Sequence, residues 1–573
     1  MKITRKVGGR KAAASKPAAA SRVRRKAVEV EEAVEETSGE VEVGSGMRTP
    51  QRRRKTAAAI DHRGQLEESG DNGANVVEST IDEYTDRALF NYGSYVVEDR
   101  AIPELRDGLK PSHRAMLWSL QVEGASFANG TVKKSAKVVG TAIGAFHPHG
   151  DTAVYGAGVT IANYNPPLIH GVGNFGSPVD GSAAMRYTEM RLSRFSSLFM
   201  LDKDYLQAVP YVENYSEDMK WPLYLPALLP VLLLGGNPTI PAYGVRAGNP
   251  AFDLYGVTKL VNAGLRGRTL TDADCVKYLH PQHVTGAECM ATDAELKELI
   301  ATGRGSLKYA PRMTADWKRK MIIIQSYNPV TLTGSDATVE KTLQSIAAIN
   351  GISQAYDNSS SKNKDAGPYG CAIYVIPNRQ VSEDRFYELA LEIRDRILTK
   401  SESYDLGVTI RQPGKKTIFR RMSFADYLNH WVQYRINLEV RMLDALLETA
   451  RHDLHIVDGK LTICKSKDSI DKAIHLIRTS ADPKLALMKA FKLDEAQVEA
   501  VLSMQLRSIA KLALGELQNV RAALVSAING YESRKKEPGK SAAAVTTARV
   551  KQYQKKPDDT VSGIPVFGEE WKL

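Results

Sequence analysis

Between Ser423 and Leu454 the chain contains neither proline nor glycine, and its apolar residues Leu428, Trp431, Leu438, Leu443, Leu446, Leu447, Ala450 and Leu454 recur mostly every three or four positions. That period matches one face of an α-helix and no strand. A second stretch carries Leu517, Val520, Leu524, Ile528 and Tyr531 at the same spacing. Two such helices, with about 60 residues of shorter helical material between them, predict an antiparallel arm with a small globular tip. Two ordinary core helices are the other reading of the same periodicity.

The remaining sequence divides by composition. Its 573 residues imply about three or four domains. Residues 1–79 interleave blocks of like charge with Ala, Ser and Gly: a basic run to Lys26, a Glu-rich run over 29–42, and Arg-Arg-Arg-Lys at 52–55. Such blocks cannot bury enough apolar surface to offset ordering entropy, so a disordered arm is expected, either a nucleic-acid tether or a solvated tail. It has no apolar segment of the secretory kind. Ser79-Thr-Ile-Asp-Glu then offers a helix cap, and short apolar runs separated by turn residues suit an α+β domain up to about Leu206. From Pro210 to Arg411, β-leaning runs such as Met321-Ile-Ile-Ile-Gln and Cys371-Ala-Ile-Tyr-Val-Ile predict a second α+β domain. After Arg534 the chain is expected to be a polar tail. Cys275, Cys289, Cys371 and Cys464 lie far apart, which supports neither a zinc ribbon nor a disulfide scaffold and suits a reducing compartment. The apolar run Leu223 to Leu234 is broken by Pro226 and Pro230, so no membrane span is expected.

Three motifs carry chemistry. His147-Pro-His149-Gly-Asp151 has the spacing of some metal-dependent hydrolases, yet no other His and Asp cluster supplies the remaining ligands, and two histidines in a basic stretch also suit phosphate. Gly171-Val-Gly-Asn-Phe-Gly176 is a literal G-x-G-x-x-G, but its flanks are loop residues, so a tight loop that permits close backbone approach is expected instead of a dinucleotide fold. No phosphate-loop motif G-x-x-x-x-G-K-[ST] occurs. Arg186-Tyr187 follows. Around it, between Arg100 and Arg194, lie Arg106, Lys110, His113, Arg114, Lys133, Lys134, Lys137, His147, His149 and Arg191, a donor set suited to the backbone of a duplex. A tyrosine at its centre can attack a phosphodiester while a neighbouring arginine balances charge on phosphorus.

The runs Ala101-Ile-Pro-Glu-Leu-Arg-Asp-Gly-Leu-Lys-Pro-Ser-His-Arg114, Lys133-Lys-Ser-Ala-Lys-Val-Val-Gly140, His147-Pro-His-Gly-Asp-Thr-Ala-Val-Tyr155, Gly173-Asn-Phe-Gly176 and Ala184-Met-Arg-Tyr-Thr-Glu189 resemble the DNA breakage and reunion subunit of type IIA DNA topoisomerases. That family includes the A subunit of bacterial gyrase, its topoisomerase IV counterpart and the medium subunit of T-even phage topoisomerase. The resemblance covers roughly residues 80–530. It implies a multidomain α+β chain: a winged-helix DNA-binding domain at 80–205, an α/β tower at 206–411, and at 412–531 a long antiparallel coiled coil with a helical dimer gate, followed by a polar tail at 532–573.

By the same resemblance, Tyr187 is the nucleophile that forms a 5′-phosphotyrosyl link and Arg186 assists it. Arg100, Lys110, His113, Arg114, Lys134, His147 and His149 hold DNA, and Ile240 wedges between base pairs. No acidic metal-binding motif of the toprim kind and no ATPase domain is visible, so Mg²⁺ and ATP are expected from a B-type subunit. The partners implied are double-stranded DNA, a second copy of the chain, and that subunit in a heterotetramer, in the cytoplasm, or the host cytoplasm for a viral member such as Val97 to Pro103 suggests. Ala115 and Gly156 depart from the cellular pattern. Gly156 replaces an acid that, with the hydroxyl matched by Thr152, anchors quinolones through a water-metal bridge, so weak quinolone sensitivity is expected. Without repeated β-blades after the arm, relaxation and decatenation are expected ahead of negative supercoiling. Competing functions are a DNA-bending architectural protein and a nuclease built on His147, His149 and Asp151.

Overall fold

Thr80 opens the first helix, α1 (Ile81–Val96), with a reciprocal cap: its side chain accepts from the Glu83 N–H and the Glu83 carboxylate accepts from its own N–H, both at 3.2 Å. The computed structural model describes residues 80–555, apart from 129, 243–244, 327–335, 361, 368–369 and 505–510. The arm expected at 1–79 lies outside the described residues.

The catalytic candidates sit on a small helical cluster edged by a sheet. Pro111 occupies the first position of α2 (Pro111–Val122), where its missing N–H costs nothing. Two further helices follow, α3 (Ser135–Thr141) and α4 (Asp151–Ala162). Met116, Leu117 and Leu120 of α2 bury against Val138 and Val139 of α3 and Val154 and Val159 of α4. Strands β1 (Lys133–Lys134), β3 (Glu189–Leu192) and β2 (Ile169–Val172) form an antiparallel sheet in that order, with Met190 and Leu192 turned into the same core.

Residues 206–421 carry two larger antiparallel sheets. One runs Glu288–Cys289, Arg304–Ala310, Lys400–Asp405, Val245–Asn249, Asn237–Ala242. The other runs Met313–Asp316, Met321–Ile324, Ile373–Pro377, Ile352–Asp357 and has a core of its own, in which Ile322, Ile324, Ile373 and Val375 meet Phe386 and Leu389 of a covering helix. Both apolar runs expected to be strands are strands.

The long helix spans Phe424–Cys464 and packs on the helix Lys511–Lys536. Their ion pairs prove the antiparallel sense: Glu439 meets Arg534, Arg451 meets Glu532 and Asp458 meets Arg521, so one index rises as the other falls. Between them, among the described residues, three short helices enclose a separate core of Ile463, Ala473, Leu487, Leu493, Val498 and Val501, the globular tip.

The tail requires a correction. Residues Pro538–Lys555 form an eighteen-residue helix that buries Ala542, Ala543, Thr546, Val550 and Tyr553 against the main core. Tyr553 meets Phe195 and Phe199 edge-on, at centroid separations of 5.6 and 6.2 Å. Its buried face is made mostly of small residues, whose apolar stripe is too weak to read among the surrounding lysines.

Candidate active site

The turn that carries Tyr187 is fixed from both sides. Thr188 is buried, and its hydroxyl oxygen lies 2.8 Å from Ser135 Oγ and 2.9 Å from the Tyr155 hydroxyl, which donates to the Ala183 carbonyl at 2.8 Å. The Ser135 N–H donates to the Thr188 carbonyl at 3.0 Å and the Ala136 N–H to that of Met185 at 3.3 Å. Thus α3 and α4 clamp the backbone while Tyr187 projects, 66% exposed, with the Arg186 guanidinium 4.7 Å from its ring centroid. A reactive side chain held on a turn whose backbone is pinned to two helices is pre-positioned for one geometry.

The glycine run explains the other wall. No helix opens after Gly176. Gly173 has φ +100°, and a Cβ there would stand 3.5 Å from Thr188 Cγ2 and 3.8 Å from the Tyr187 carbonyl. Gly173 thus lies in ordinary contact with the tyrosine turn, and the close approach of this run is at Gly171, where a Cβ would stand 2.4 Å from the Phe175 ring.

A second group lies around the N-terminus of α4, whose residue Tyr155 is part of the same clamp. The rings of His147 and His149 stack with centroids 4.0 Å apart and planes 16° from parallel. The Tyr95 hydroxyl lies 2.8 Å from His149 Nε2. Burial pushes the His147 imidazole down to about 4, helped by His149 and Arg100. Burial likewise pushes His113 down to about 3, with Lys110, Arg114 and His147 adding to it, and lowers the half-buried Lys110 ammonium to about 8. His113 and His147 are therefore neutral at physiological pH and offer hydrogen bonds in place of charge. Arg100 is exposed beside them.

Three expected residues stand differently. Arg114 is 1% exposed, with Nε 2.7 Å and Nη2 3.1 Å from the two carboxylate oxygens of Asp107 and Nη2 3.3 Å from the Leu109 carbonyl. Its Nε and Nη2 donors are spent inside the core and the side chain is buried, so in this conformation it does not face a phosphate. Lys134 is exposed but pairs at 3.0 Å with Glu189, its register partner two residues past Tyr187. Ile240 lies on the strand Asn237–Ala242 opposite Ala247, and its side chain lies outside the described residues.

Among the described residues no group of three or more His, Cys, Asp or Glu side chains is arranged to hold a metal ion. The H-x-H-x-D run offers stacked imidazoles, one of them already bonded to Tyr95, so the donor set does not fit a resident metal. Sequence reasoning missed Tyr95, Ser135, Tyr155 and Thr188, which act through contacts distant in the chain, and Asp107, which joins nearby Arg114 to the distant Leu225 N–H. Only the hydroxyl-bearing residue beside the Arg-Tyr pair, Thr188, left a local signal.

A family model for the A subunit of DNA gyrase/topoisomerase IV matches residues 100–548. The chain is 34% identical over 441 residues to the DNA topoisomerase 4 A subunit of Escherichia coli strain K12, covering 75% of this chain and 56% of that protein. It is 33% identical over 448 residues to the protein of the same name from Pseudomonas aeruginosa, with 76% and 56% covered. The DNA gyrase A subunit of Helicobacter pylori strain J99 is 31% identical over 453 residues, with 76% and 52% covered. The chain thus spans about half the length of the curated relatives it matches.

Proposed function

Because the chain belongs to the family of DNA gyrase/topoisomerase IV A subunits, we propose that it is the DNA-cleaving and rejoining subunit of a type IIA topoisomerase, with Tyr187 as its nucleophile. The Tyr187 oxygen attacks the scissile phosphorus, the bond from phosphorus to the 3′-oxygen breaks, and the tyrosyl proton leaves to solvent as the 3′-oxygen takes one up. The phosphotyrosine keeps the energy of the broken bond, so attack by the 3′-hydroxyl reseals the strand. The Arg186 guanidinium, beside the ring, balances charge on the five-coordinate phosphorus. Arg100, Lys110, Lys134, His113, His147 and His149 hold the flanking backbone; the arginine and lysines supply charge and the neutral imidazoles supply direction.

In this reading residues 80–205 are the winged-helix domain, 206–411 the tower, and 412–531 the coiled coil with the exit gate. Ile240 kinks the duplex from its hairpin. Mg²⁺ and ATP act on a B-type subunit, two copies of which join two of this chain, since breaking both strands takes two tyrosines related by a two-fold axis. The complex works in the cytoplasm. No helix among the described residues is long and apolar enough to cross a membrane.

The observation that carries this reading is the exposed Arg186–Tyr187 pair on a turn bonded to two helices. Supercoiled plasmid incubated with the chain, Mg²⁺ and a B-type subunit, then quenched with detergent, tests it. Linear DNA that enters a gel only after protease treatment is expected from the wild type and none from Tyr187→Phe. Protein-free ends would assign a nuclease instead.

A further inference from the structure

Asp405 is buried, 1% exposed, yet three arginines from three different strands converge on it. Arg304 Nε lies 3.3 Å, Arg421 Nε 3.4 Å and Arg246 Nε 3.7 Å from its Oδ2. Strand register brings them there. Arg304 is directly opposite Asp405; Gly248, two residues after Arg246, is its partner on the other side; and Arg421 is opposite Gly407, two residues further on. Residues at and diagonal to one position of a sheet are within side-chain reach of it.

One carboxylate balances one guanidinium, so the cluster keeps a net charge of two. The three arginine side chains remain 53%, 50% and 41% exposed. Each reaches Asp405 at its closest through Nε, and none has a hydrogen bond from Nη to protein among the described residues. Three like charges gathered at one surface point repel one another unless an anion joins them. The guanidinium fork matches phosphate geometry, and the buried carboxylate draws the inner nitrogen of each half-exposed arginine to within 3.3–3.7 Å.

We propose that Arg246, Arg304 and Arg421, held by Asp405, form a seat for adjacent backbone phosphates of the duplex beyond the cleavage point. The inference rests on the function proposed above. Arg246 faces Pro241 on the hairpin that also carries Ile240, so the same two strands that would wedge the duplex lead directly to the cluster. An acidic protein surface has the same charge, and the test separates the two.

The full-length chain and the single variants Arg246→Gln, Arg304→Gln and Arg421→Gln are titrated with a fluorescent duplex over a range of salt concentrations. Single substitutions leave Asp405 two cations, and thermal melts check that the fold is kept. For each glutamine variant the log–log salt slope is expected to be shallower by about 0.9, so between about 50 and 200 mM salt wild-type affinity falls roughly three- to four-fold further than the variant's. Arg304→Lys keeps the charge and the slope. Unchanged slopes in all three glutamine variants overturn the seat, and so does a variant that keeps its slope but no longer retains the B-type subunit. If the wild-type chain neither binds duplex nor cleaves through Tyr187, the proposed function itself is refuted, whereas binding and Tyr187-dependent cleavage with unchanged slopes refute only the seat.

Discussion

Arg114→Met separates a structural arginine from a DNA-binding one. The substitution keeps the bulk of the side chain but strands the Asp107 carboxylate in a site where it is fully buried. Removing one partner of a buried ion pair costs about 3–5 kcal/mol. Asp107 retains two backbone donors, the N–H of Leu109 at 3.0 Å and that of Leu225 at 2.9 Å, so the lower end, about 3 kcal/mol, applies. In a unit of this size that lowers the melting temperature by about 3–6 °C. Adding Asp107→Asn removes the stranded charge, keeps one acceptor for those N–H groups and should restore part of the loss. The assay pairs thermal melts with DNA binding over a range of salt concentrations. A lower melting temperature with an unchanged salt slope is expected. An unchanged melting temperature with a slope shallower by about 0.9 would mean that Arg114 leaves Asp107 for a phosphate, and the reasoning would fail.

Other outcomes follow from the same geometry. His113 and His147 both lie below the ordinary value of 6.5, so below that pH the unfolded chain binds more protons than the folded one; stability is complete above about 6.5 and is lost as pH falls towards about 4 and 3. Melting temperature measured from pH 7.5 to 4.5 should decline below 6.5, less steeply in His147→Gln, and a flat profile would contradict the burial argument. Gly173→Ala places a side chain at φ +100° against the tyrosine turn, so cleavage should slow by about ten-fold or more while duplex affinity is kept; equal loss of both would place the glycine in binding instead. A Cβ at Gly156 would meet no atom within 4 Å, so Gly156→Asp should fold normally and strengthen quinolone-stabilised cleavage that is weak in the parent. Drug-trapped cleavage by the parent at ordinary doses would end that expectation.

What could be read from the chain alone was whatever repeats or clusters locally. The long helix announced itself because Leu428 to Leu454 keep a mostly helical period with no proline or glycine, and the Arg186-Tyr187 pair because both residues are adjacent. Arg114 misled for the opposite reason. Its neighbours in the chain are basic and suggest a phosphate, whereas only folding shows that Asp107, seven residues earlier, takes its guanidinium into the core and accepts the N–H of the distant Leu225 as well. The stacked histidines are only two positions apart in sequence, but Tyr95, which bonds one of them, comes from α1. Asp405 and its three arginines span residues 246 to 421 and join only through strand register, which no local pattern records. The final helix escaped notice because alanine and threonine bury a face without marking one.

The central claim is that Tyr187 takes the 5′ side of the broken strand, and the most direct measurement is the chemical identity of the link. A duplex carrying ³²P at the scissile phosphate is cleaved by the chain with its B-type subunit, trapped with detergent, and digested with nuclease and trypsin for mass mapping. The account predicts label on a single peptide, as a phosphodiester on Tyr187. Label on another residue, on a peptide joined to the 3′ end, or on no peptide while the DNA is cut, would contradict it.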